Sequence, residues 1–80
     1  MTVAQLLAEA ARTLQGAAVE AAEWDAERLL RHVLGWDRAT LLASHGDAVD
    51  PEAERAFRGL VAERARRVPL QHLTGTQAFW

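Results

Sequence analysis

Asp50-Pro51-Glu52-Ala53-Glu54-Arg55-Ala56-Phe57-Arg58-Gly59-Leu60-Val61 decides the fold class of this chain. An aspartate able to accept a hydrogen bond from first-turn N–H groups precedes a proline at the first helical position, where its missing N–H costs nothing. Glu52 and Glu54 follow and favour the positive end of the helix dipole. Ala53, Ala56, Phe57, Leu60 and Val61 then recur at three- and four-residue spacing, the period of a helix with one buried face. The stretch predicts a helix from Pro51 that ends by Val68, because Pro69 disfavours α geometry at the residue before it. Gly59 sits mid-helix, at a cost of about 1 kcal/mol relative to alanine, and is expected to admit a neighbouring helix.

Upstream, the same logic gives three more helices. Thr2 with Gln5 has capping-box spacing, and Val3, Leu6, Leu7, Ala10 and Leu14 share one face. Gly16 is expected to cap that helix at its C-terminal end. A second helix begins near Ala22 to Asp25, with Glu23, Asp25 and Glu27 in its first turns and a buried stripe of Ala26, Leu29, Leu30 and Val33. Glu27 and Arg31 are expected to pair, four apart in the favourable order. Gly35 ends it. A short third helix opens on Asp37, has Thr40 at its third position, can bury only one of Leu41 and Leu42, and closes at His45-Gly46-Asp47. Downstream of Pro69, Leu70-Gln71-His72-Leu73 reads as one further turn stopped by Gly75, and Gln77 to Trp80 as the start of an extended segment.

Four or five helices with short connections predict an all-α compact bundle. Eighty residues make one domain at most, with a modest core. No cysteine is present, so neither a disulfide nor a thiolate ligand is available. No apolar run approaches the roughly 20 residues that span a bilayer, and the start of the chain lacks the pattern of a signal peptide. A cytoplasmic protein with no membrane partner is expected. Residues 1–50 hold four arginines and eight acids, whereas residues 51–80 hold five arginines and three acids. With a net charge of −2 and no helix dense in cations, nucleic acid is not an expected partner.

Catalytic and metal readings fare poorly. His32, His45 and His72 are far apart, and no pair has the spacing of a metal-binding helix. Asp25 and Glu27 stand two apart, so they diverge on a helix and read as dipole acids. Thr40 and Ser44 lack a spaced histidine–acid partner. The glycines form no phosphate-binding fingerprint. Neither a catalytic residue nor a cofactor or metal ligand is expected here. The arginine group Arg55, Arg58, Arg64, Arg66 and Arg67 is more informative, and of these Arg55, Arg58 and Arg66 can share an exposed face of the fourth helix. That face is either a docking surface or a solvated one whose cations pair with Glu52, Glu54 and Glu63. Trp24 and Trp36 are expected to cover the core. Phe79 and Trp80 are expected to begin a further segment that would cover them.

The stretch Arg66-Arg67-Val68-Pro69-Leu70-Gln71-His72-Leu73-Thr74-Gly75-Thr76-Gln77-Ala78-Phe79-Trp80 resembles a family signature, as does Trp24-Asp25-Ala26-Glu27-Arg28-Leu29-Leu30-Arg31-His32-Val33-Leu34-Gly35. Both are similar to the N-terminal domain of the HemK/PrmC enzymes, S-adenosylmethionine-dependent methyltransferases that modify the glutamine of the Gly-Gly-Gln motif in peptide chain release factors. The resemblance covers nearly the whole chain. It implies a helical front domain, a hairpin connection and a Rossmann-like catalytic domain that carries the cofactor glycines and an Asn-Pro-Pro-Tyr motif. Neither motif occurs here, so no family catalytic residue transfers.

On this footing residues 1–75 are expected to be a substrate-docking domain and residues 76–80 the start of the connection to a catalytic domain. S-adenosylmethionine is implied only for a full-length protein. The implied partners are a release factor and the chain's own catalytic domain. Candidate docking residues are Arg55, Arg58 and Arg66, with Gln71 and His72 second, and Phe79 and Trp80 would contact the catalytic domain. The rivals are a free-standing adaptor module, a helix-turn-helix-like DNA binder, which the acidity disfavours, and a domain that merely supports catalysis structurally.

Overall fold

The computed structural model describes residues 1–68 and is all-α: among these residues four helices and no strand are present. They are α1 (Val3–Gly16), α2 (Ala22–Leu34), α3 (Arg38–Ala43) and α4 (Pro51–Ala65). The turn expected at Leu70 to Leu73, the stop at Gly75 and the extended segment from Gln77 lie outside the described residues.

The starts of α1, α3 and α4 are made by local side-chain hydrogen bonds, whereas α2 starts at Ala22 without a side-chain cap. Thr2 Oγ1 accepts from the Gln5 N–H at 3.2 Å, and Gln5 Oε1 accepts from the Thr2 N–H at 2.9 Å, completing the capping box. Asp37 accepts from the Thr40 N–H at 2.8 Å, and this bond holds its carboxyl below the usual carboxylate value. Asp50 accepts from the Glu52 N–H at 3.1 Å beside Pro51. The first turn of α1 gains two further partners from the loop after α3. Val3 N–H donates to the Asp47 carbonyl and Ala4 N–H to the His45 carbonyl, both at 3.0 Å, while Val49 N–H donates to the Met1 carbonyl at 2.9 Å. An isolated antiparallel bridge between Thr2 and Ala48 results.

The helix ends depart from expectation. Gly16 is the last residue of α1 rather than its left-handed cap, and Ala18 takes the left-handed conformation instead, at φ 64. Val19 N–H closes on the Leu14 carbonyl and Ala18 N–H on the Gln15 carbonyl, both at 3.0 Å, which is a Schellman turn. Val19 and Leu14 are both buried, so the apolar contact of that motif fixes where the chain reverses. α4 ends the same way, with Arg67 left-handed at φ 72 and Val68 N–H closing on the Glu63 carbonyl at 3.2 Å. Only α2 uses glycine, Gly35 at φ 69.

The core gathers Val3, Leu6, Ala10 and Leu14 of α1, Ala22, Ala26, Leu29 and Leu30 of α2, Leu41 of α3, and Phe57 and Val61 of α4, with Val19 and Val49 from the connections. Leu7, Val33, Trp36, Ala53 and Leu60 pack against its edge. Leu41 is buried and Leu42 exposed, as a one-sided helix requires. Four expectations are corrected. Ala56 is exposed, since the α4 stripe centres on Phe57 and Val61 and leaves it on the outer side. A Cβ at Gly59 would meet nothing within 4 Å, so no helix approaches there. Glu27 pairs with Arg38 at 2.7 Å instead of Arg31, because Arg38 at the first position of α3 reaches it across the Gly35 turn. Trp24 is 44% exposed and carries the Arg38 guanidinium 5.5 Å from its ring centroid, so it packs on a cation outside the core.

Candidate functional site

The three arginines assigned to α4's outer face have separate fates. Arg58 is tied into the bundle: its Nε donates to Glu9 Oε1 at 2.9 Å, and another guanidinium nitrogen lies 2.9 Å from Glu54 Oε1, one turn earlier. Glu54 also meets the Met1 ammonium at 3.3 Å. The hydrogen bond that Arg58 donates to Glu9 raises the Arg58 pKa further, and its charge serves to join α4 to α1. Arg66 is exposed and stands 3.9 Å from Glu63, a loose surface pair. Arg55 is exposed and makes no ion pair among the described residues. Gln71, His72, Phe79 and Trp80 lie outside the described residues.

Sequence spacing explains why these cations share a side. Arg55, Arg58, Ala62 and Arg66 succeed one another at three- and four-residue steps along α4, which places them on one ridge. Between that ridge and α1 runs a cleft of about 200 Å³, lined by Glu9, Ala10, Thr13, Phe57, Arg58, Val61 and Ala62. Its floor is apolar, from Ala10, Phe57 and Val61, and the Glu9–Arg58 pair forms one wall. Sequence reasoning missed this cleft, since it exists only where α1 and α4 meet.

A second polar feature was also hidden. Asp25, which reads as a dipole acid, is 6% exposed, and Arg64, which reads as part of a basic group, reaches across from α4 to meet it. Arg64 Nε donates to Asp25 Oδ2 at 2.9 Å, and another guanidinium nitrogen donates to the Val68 carbonyl at 3.3 Å. One side chain thus joins the start of α2, the end of α4 and the residue at which the chain leaves α4.

The remaining candidates stay apart. His32 is exposed on α2, and His45 is half-buried in the loop after α3 with Nε2 unpartnered. Thr40 and Ser44 serve the two ends of α3. Among the described residues no group of three or more histidine, aspartate or glutamate side chains could hold a metal ion, and no helix is long and apolar enough to cross a membrane. The main surface features of the described residues are the α1–α4 cleft and the arginine ridge beside it.

Comparison with known proteins matches residues 5–75 to a family model described as the PrmC N-terminal domain. The release factor glutamine methyltransferase of Mycolicibacterium smegmatis is 53% identical over 70 residues, which covers 88% of this chain and 24% of that protein. The protein of the same name from Deinococcus radiodurans is 44% identical over 75 residues, covering 94% of this chain and 27% of its own. That of Mycobacterium tuberculosis is 43% identical over 82 residues, covering 99% and 25%. The chain therefore spans about a quarter of the length of these relatives. No solved structure matches it.

Proposed function

The chain belongs to the PrmC N-terminal domain family, and from that premise we propose that it is the substrate-docking front domain of a release factor glutamine methyltransferase. The observation that carries this reading is its similarity, at 53% identity, to about a quarter of the length of a protein bearing that name. In this proposal residues 1–75 form the docking domain, and residues 76–80 begin the connection to a catalytic domain. The methyl donor of the whole enzyme is S-adenosylmethionine, bound by that second domain, and the enzyme works in the cytoplasm.

The physical case rests on how the described side chains are used. Methyl transfer to an amide nitrogen needs a positioned cofactor and a small polar pocket. Here most of the large apolar side chains meet in one core, while Glu9 with Arg58 and Asp25 with Arg64 are committed to ion pairs that join helices. What is left is surface. A surface remote from the reacting atoms can still hold the substrate in place and raise the efficiency of transfer. The α4 ridge, with Arg55 and Arg66 outward, is the first docking face, and Gln71 and His72 are the second choice. Phe79 and Trp80 are assigned to contact with the catalytic domain.

The test compares methylation of an intact release factor with that of a short Gly-Gly-Gln peptide, by the full-length enzyme and by a form lacking residues 1–75. Docking predicts a rise in KM for the intact factor alone. Equal loss on both substrates would mean that the domain only supports its neighbour and would end the docking reading. Calorimetry offers a second check: binding of S-adenosylmethionine to the isolated domain would contradict the division of labour.

A further inference from the structure

We infer that the α1–α4 cleft is the anchor point of the docking surface, and that it takes one apolar side chain of the partner protein flanked by a carboxylate. The inference rests on the docking reading above and sharpens it to an address and a chemistry.

Three observations meet there. The floor of the cleft is apolar, from Ala10, Phe57 and Val61, and its volume of about 200 Å³ exceeds the ~150 Å³ that suffices elsewhere for a benzene ring. A single aliphatic or aromatic side chain fits. Its walls are fixed in advance: Arg58 is held by Glu9 and Glu54, and Thr13 Oγ1 donates to the Glu9 carbonyl at 3.1 Å. Walls that are already ordered lose little side-chain entropy when a partner arrives. Finally, the outer rim is cationic. Arg55 and Arg66 follow Arg58 and Ala62 along the ridge, exposed, with only the loose Glu63 contact opposing them among the described residues. An apolar anchor entering beside Ala62 brings its flanking residues against those guanidinium groups, and a carboxylate is the complement that steers and orients it.

Another exposed apolar group, Trp24 under Arg38, lies on the far side of α2 from the core stripe. Arg38 already has Glu27 as its partner at 2.7 Å. It serves as the control.

The experiment uses the full-length enzyme with intact release factor and a short Gly-Gly-Gln peptide as the two probes. Ala62→Trp places a ring over the cleft from an exposed position. The expected result is a rise of about tenfold in the ratio of KM for intact factor to KM for peptide, equivalent to about 1.4 kcal/mol of anchor binding. Arg55→Glu combined with Arg66→Glu also raises the ratio and weakens its dependence on salt, and this pair keeps the question answerable if Ala62→Trp fails to fold. An unchanged ratio in both variants overturns the inference. So does a rise produced by Trp24→Ala and not by Ala62→Trp, which would move the anchor to α2. Deleting residues 1–75 in the same assay separates the two levels. A rise on deletion without a rise for Ala62→Trp removes only the cleft, whereas no rise on deletion removes the docking reading itself.

Discussion

Arg64→Ala should cost this small bundle a large share of its stability. The substitution leaves Asp25 buried at the start of α2 with its carboxylate unopposed, and it removes the donor to the Val68 carbonyl. Breaking a fully buried pair from one side costs about 3–5 kcal/mol. The Arg64 side chain is 23% exposed, so water reaches part of it, and about 2–3 kcal/mol is the expected loss. A chain of 80 residues has roughly 4–12 kcal/mol in total, so the loss is a sizeable fraction. With a urea slope of about 1 kcal/mol per molar for a protein of this size, the midpoint should fall by about 2 M. Tryptophan fluorescence can follow the transition, because Trp24 adjoins Asp25 in sequence. A double-mutant cycle with Asp25→Ala supplies the stricter test, and a coupling of at least about 1 kcal/mol is expected for groups in direct contact. A loss below about 0.5 kcal/mol for Arg64→Ala, or a coupling near zero, would refute the argument.

Three further outcomes are expected. Ala18→Gly should stabilise the chain by about 0.5–1 kcal/mol, since the left-handed φ costs alanine more than glycine's greater unfolded freedom takes back; the thermal midpoint reads it. Gly59→Ala should stabilise by about 1 kcal/mol in the same assay, because the new methyl meets nothing within 4 Å and glycine is the poorer helix former. Asp37→Ala should narrow its deficit relative to the parent in acid. The Asp37 carboxyl is held below its ordinary 3.8 by the Thr40 N–H, so its contribution is complete above that value and fades as pH falls through the lower, folded one. Urea midpoints measured from neutral pH downwards follow the gap, and a gap constant at all pH values would mean that the cap does not depend on charge.

Helix beginnings are legible in this sequence because a cap acts within three residues. Thr2 and Gln5, Asp37 and Thr40, and Asp50 and Pro51 each carry their bonding partner in the same stretch. Helix endings are harder to read. Gly16 looks like a stop, yet burial of Val19 against the core moves the reversal to Ala18, where the sequence shows an ordinary helix former. Charge partners are harder still. Glu9 and Arg58, or Asp25 and Arg64, are brought together only by the packing of α4 on α1 and α2. The exposure of Trp24, by contrast, is in the spacing. It stands two residues before Ala26 and five before Leu29, on the opposite side of the helix from both. The family resemblance was legible because its residues are contiguous, while the cleft was not, because its lining is divided between two helices.

The loop that closes over the first turn of α1 has a bearing on how the bundle comes apart. The amides of Val3 and Ala4 are protected by carbonyls of Asp47 and His45 that belong to a distant part of the chain. An α1 formed by itself leaves both amides open to water. Their exchange with solvent deuterium therefore reports rupture of the contact between the two halves of the bundle, whereas mid-helix amides of α1 report the helix alone. Two neighbouring residues at the edge of one helix thus make a built-in gauge of the whole domain's cohesion.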